Sequence, residues 1–112
     1  MKYPTRTQDG IFIVELKGKL MGGPEAQEFH EQLKVAVANG SKKVILDLGG
    51  VEWMNSSGLG MLISALTTMR NAGGEMKLAR VTDKIESLLV ITKLNSVFET
   101  HSTVQEAIAS FR

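Results

Sequence analysis

The chain alternates between short runs rich in β-branched and aromatic residues and longer runs in which apolar side chains return every three or four positions. "IFIVELKG" (Ile11 to Gly18) reads as a strand, and the polar "QDG" before it reads as a turn. The stretch from Lys2 to Thr7 can pair with it as an edge hairpin strand. "PEAQEFHEQLKVAVANG" reads as a helix: Pro24 suits the first turn and Asn39-Gly40 supplies the stop. Its residues Ala26, Phe29, Leu33 and Val37 fall on one stripe, which should be buried. "KKVILDL" (Lys42 to Leu48) is a short continuous apolar strand, of the kind covered on both faces in a parallel sheet. "SSGLGMLISALTTMRNAGG" is the next helix, closed by Gly73-Gly74.

The same rhythm continues to the end. "EMKLARV" is a strand, "DKIESLLVITKLN" a helix with Asp83 at its N-cap, and "VFET" a short strand. The last helix, "STVQEAIASFR", starts from Ser102 with Glu106 close behind. Strand and helix in strict alternation imply crossover units, hence an α/β fold with a small, mixed but mostly parallel sheet of about five strands and about four flanking helices. All links are short, with no repeat and no linker, so residues 1–112 form a single domain by this reading.

Composition narrows the functional classes. With 43% hydrophobic residues and a formal net charge of +1, nothing points to nucleic acid or an acidic membrane surface. The three-residue "SKK" has no aromatic-basic interleaving around it. No cysteine is present, which removes disulfides and thiolate metal sites. The polar "MKYPTRTQDG" has no signal-peptide core, and no apolar run approaches the ~20 residues of a membrane helix. The expected address is cytoplasmic.

Catalytic chemistry finds little support. His30 lies mid-helix beside Phe29, and His101 just before the last helix; both read as surface or capping residues. A metal site has no His-rich or Cys cluster to stand on. "NSSGLG" has no glycine before its serines, so it is not a nucleophile elbow, and Gly58 and Gly60 do not form a dinucleotide fingerprint. The loop "GKLMGGP", glycine-rich after a strand, could touch a phosphate, but on its own it reads as a flexible loop. Asp47 ends a strand with no partner that the sequence names. No cofactor is expected, and the chain reads as a binding protein rather than an enzyme.

"WMNSSGLG", residues 53 to 60, carries the functional signal. Read from Leu48, a loop leads to a helix starting near Ser57, and Asn55, Ser56 or Ser57 can each cap its first turn for about 1 kcal/mol. Gly58 and Gly60 each cost roughly 1 kcal/mol against alanine in a helix, so they need a reason. Close approach of another backbone or another protein is one. Leu59, Leu62, Ile63 and Leu66 share one face and should be core. Met61, Ala65 and Met69 recur on a different face, and no charged residue occurs between Ser56 and Met69. Either the helix is covered on both sides or its outer face is a docking surface; the short chain favours docking. A phosphate on a serine here would add about −1.5 to −2 charge, accepted by the helix N-terminus but refused by an apolar partner.

"VILDLGGVEWMNSSGLGMLISAL", "NAGGEMKLARV" and "LNSVFETHSTVQEAI" together resemble the STAS domain of bacterial anti-sigma factor antagonists, over essentially the whole chain. The resemblance implies the STAS fold and a phosphorylation switch at the serine after the Asp/Asn, which is Ser56. It implies that the unphosphorylated form binds an anti-sigma factor that is itself a serine kinase, releasing a sigma factor, and that a metal-dependent serine phosphatase resets the switch. Partner binding is then expected of Met21, Gly22, Gly23, Asn55, Ser56, Ser57, Gly58, Met61 and Ala65. Two positions depart from the family pattern: Asn55 stands where Asp is usual, and Met21 where a "G-x-L-D" aspartate often lies. Both remove negative charge near the phosphorylated group and mark a divergent subfamily with its own kinase. The alternatives are a non-switching STAS scaffold, of a stressosome or a lipid-transport complex, and a small hydrolase using Ser56 or Ser57.

Overall fold

The structure, a computed structural model, describes residues 3–112. Its elements in chain order are β1 (Thr5–Gln8), β2 (Ile11–Leu20), α1 (Pro24–Ala38), β3 (Lys43–Met54), α2 (Ser56–Asn71), β4 (Glu75–Ala79), α3 (Asp83–Ile91), β5 (Glu99–His101) and α4 (Val104–Ser110). The five strands form one sheet in the order β1-β2-β3-β4-β5. The hairpin expected at the start is present over Thr5–Gln8, while Lys2 lies outside the described residues. Its turn is Asp9-Gly10, both with positive φ (54° and 77°), the twist a two-residue hairpin loop requires.

The remaining pairings are parallel. Each crossover moves one strand further along the sheet in the same direction. Crossovers of one hand that all step the same way put their helices on the same face. The buried side chains of α1, α2 and α3 accordingly join one core with Val14, Leu46, Leu48 and Leu78. The opposite face carries Ile11, Ile13, Ile45 and Ala79, covered by Ala107 and Ile108 of α4.

Several boundaries differ from the sequence reading. Strand β3 does not stop at Leu48; it continues through Gly49-Gly50 to Met54. Beyond Asp47 it keeps β2 as its strand neighbour while β4 has ended. The Arg80 guanidinium lies over the strand at Gly49, in the space a Cβ there would take, and donates from Nε to Asp47 Oδ1 at 2.7 Å. Asp47 thus has a partner, and its Oδ1 also accepts from the Gly49 N–H at 3.0 Å. The cap of α3 is Thr82, whose hydroxyl accepts from the Ile85 N–H, and Asp83 is the first helical residue. The cap of α4 is Thr103 rather than Ser102, and it accepts from the Glu106 N–H at 3.0 Å.

The largest correction concerns α2. Met61, Ala65 and Met69, expected on an exposed docking face, are buried at 7%, 1% and 0% exposure. The sheet covers one side of the helix and α1 packs along another, so this stripe is internal. Ile63, expected in the core, is 40% exposed.

Candidate functional site

Strand β3 delivers the chain to the carboxyl end of the sheet, where Asn55 turns it into α2. Asn55 is extended (φ −105°, ψ −173°), its Oδ1 accepts from the Gly58 N–H at 2.8 Å, and its carbonyl accepts from the Leu59 N–H at 2.9 Å. Of the three capping candidates it is the one used. Ser56 and Ser57 are then the first two helical residues. Their own N–H groups lie among the orphan donors of the first turn, and both side chains are exposed.

The glycine after them is explained within the chain. Gly58 is buried, and a Cβ on it would enter the space of the Leu20 carbonyl at the end of β2. The Asn55 N–H donates to that same carbonyl at 3.2 Å. The end of β2 and the start of α2 are therefore wedged together, which fixes the direction in which Ser56 projects. Gly60 differs: a Cβ there would meet open space.

The loop after β2 completes the site. Gly22 has φ +85°, and a Cβ on it would lie 3.1 Å from the Ser57 Cβ. Gly23 has φ +78° and serves as the N-cap of α1 without a side-chain bond. Met21 is 50% exposed. Among the nine residues expected to bind a partner, the fold brings together Met21, Gly22, Gly23, Asn55, Ser56, Ser57 and Gly58 at one end of the sheet. It does not bring Met61 and Ala65 to the surface. Among the described residues, neither serine hydroxyl has a histidine or carboxylate within hydrogen-bond distance, and no group of three metal-ligating side chains occurs.

The family model for the STAS domain matches residues 2–107. The chain belongs to the STAS domain family. This STAS domain is 26% identical to BtrV of Bordetella bronchiseptica over 112 residues, covering 100% of this chain and 96% of the relative. It is 29% identical to the anti-sigma-B factor antagonist of Staphylococcus aureus over 93 residues, covering 83% and 85%. The Bacillus cell-fate determinant SpoIIAA has been solved in phosphorylated and unphosphorylated forms. The STAS domain superposes on these with TM-scores of 0.77 and 0.74 at 17% identity, covering 98% of this chain and 99% and 97% of those structures. No helix among the described residues of the STAS domain is long and apolar enough to cross a membrane.

Two surface features escaped the sequence reading. Trp53, 45% exposed at the end of β3, lines a depression with Leu88 and Ile91 of α3, the latter 78% exposed. A strand ending at Leu48 leaves Trp53 in a loop, whereas β3 runs to Met54 and its alternation of sides turns Trp53 outward. The second feature is a groove between α1 and α2 that begins at Ser57 and runs past Gly60 to Ser64. Its only trace in the sequence is that Gly60 sits in a helix.

Proposed function

We propose that this STAS domain is an anti-sigma factor antagonist acting in the cytoplasm. Its unphosphorylated form binds an anti-sigma factor serine kinase and frees a sigma factor. Phosphorylation at Ser56 ends that binding, and a metal-dependent serine phosphatase restores it. The observation that carries the reading is Ser56 itself: an exposed hydroxyl at the first position of α2, in the N-S-S-G-L-G motif, held in place by the Gly58–Leu20 wedge. The name of the Staphylococcus aureus relative supports the same reading.

The physical basis of the switch differs from that drawn from the sequence. Met61 and Ala65 offer no outward docking face, so the apolar contact at the end of the sheet falls to Met21 and the glycine loop beside Ser57, and Met61 meets the surface only in the groove between α1 and α2. A phosphate at Ser56 is accommodated by the first-turn N–H groups and the helix dipole, leaving the fold intact. It places a bulky dianion where a partner's surface would close over the site. The site has the geometry of a substrate and a docking point, with the phosphoryl-transfer machinery supplied by the kinase.

Binding of the native chain and of Ser56→Asp to the cognate anti-sigma kinase tests this. The native chain should bind, and Ser56→Asp should fold normally and lose binding. Equal affinity of the two would sink the switch. Site-mapped mass spectrometry of the protein from its own cells is the companion measurement: a Ser56 peptide unmodified under both growth and stress favours a constitutive STAS scaffold.

A further inference from the structure

Packing within the fold does not require a glycine at position 60. Gly60 lies in an ordinary stretch of α2 where glycine weakens a helix, yet a Cβ on it would touch nothing. It opens instead onto the groove between α1 and α2, of about 460 Å³. The floor of this groove is apolar, made by Ala26, Phe29 and Met61, and its rim is polar, with Gln27, His30 and Glu31 on α1 facing Ser57 and Ser64 on α2. No lysine or arginine among the described residues lines it, and none of the ion pairs includes Glu31.

An apolar floor whose rim carries one carboxylate, Glu31, and no lysine or arginine suits a long aliphatic stem ending in a cation. We propose that this groove receives a lysine or arginine side chain from the protein that covers Ser56, its stem on Phe29 and Met61 and its charge against Glu31. This rests on the anti-sigma factor reading above and deepens it. The contact lies along α2 past the phosphorylated position, so it selects the partner by charge and shape while Ser56 decides whether binding occurs. Gly60 is what keeps the entrance open.

The test is calorimetric titration of the full chain with its cognate anti-sigma kinase, with ADP in place of ATP so that no phosphate is transferred. Because Gly60 faces open space, Gly60→Leu should keep the native circular dichroism and an equal or higher thermal midpoint, yet weaken binding by about ten-fold or more. Gly60→Ala should show the same pair of effects in smaller measure. Glu31→Gln should weaken binding and flatten its dependence on salt, as expected when a charge pair is lost.

If these variants bind like the native chain while Ser56→Asp does not, the groove assignment is overturned and the switch stands. If the native chain itself does not bind the kinase, both readings fall together. Should Gly60→Leu abolish self-association and leave kinase affinity unchanged, the groove belongs to a second copy of the chain and the proposal is overturned.

Discussion

A methyl group at Gly58 would meet a backbone carbonyl that cannot swing aside, whereas the same group at Gly60 would meet solvent. Gly58→Ala should therefore force β2 and α2 apart and cost about 1–3 kcal/mol, as overpacking in a tight interior does. Urea unfolding of the two alanine variants separates the roles: the midpoint should fall for Gly58→Ala and hold or rise for Gly60→Ala. Asn55 makes a second test at this scale. Asn55→Ala removes the acceptor for the Gly58 N–H and should cost about 1 kcal/mol, while Asn55→Asp keeps the cap and should unfold at a native or higher urea concentration. The sequence made the motif and its capping chemistry legible. It could not divide the work between two glycines of one motif, because that depends on Leu20, which lies 38 residues from Gly58 in the chain and touches it only in the fold.

At the scale of elements, α2 shows what one-dimensional patterning misses. Its periodicity marks apolar stripes, but a stripe reads the same whether a neighbouring helix or a partner covers it, and here α1 does. Strand β3 shows the same limit: the apolar run ends at Leu48, but pairing with β2 carries the strand on through Gly49-Gly50 to Met54. Helix α4 shows a different control. The buried Lys77 donates to the Ser110 carbonyl at 3.1 Å and hydroxyl at 2.7 Å, lies 4.2 Å from the Phe111 ring centre, and pairs with Glu99 at 2.9 Å. Glu99 also bonds His101 at 2.7 Å. The His101 hydrogen bond first, and then that from Lys77, hold the Glu99 carboxyl below its ordinary value of 4.5. A carboxylate depressed in the folded state stabilises fully above its unfolded value, and that contribution is lost as pH falls through the folded value. Urea midpoints followed downward from pH 6 should drop more for the native chain below about pH 4.5 than for Glu99→Gln. Lys77→Met, which removes the clamp but keeps the stem, should raise amide exchange in α4 selectively.

Over the whole molecule, the strand and helix order was legible from alternation alone, and so was the mostly parallel sheet. The face each helix takes was not, since that follows from the direction of the crossovers. Three helices cover one face, while α4 alone covers the apolar patch on the other. Ile108, 1% exposed, is central to that cover, and Ile108→Ala should cost about 2–5 kcal/mol, readable as a lowered urea midpoint. The sheet order carries a consequence for how the protein is made. Because strand order in space equals strand order in the chain, each segment leaving the ribosome meets its pairing partner already synthesised. No strand has to wait for a distant one or be threaded between two others, and closing distances stay short. The nascent chain can assemble by accretion, from the hairpin outward. The longest exposure falls on Ile11, Ile13 and Ile45, which stay bare to water and to chaperones until α4 has been translated.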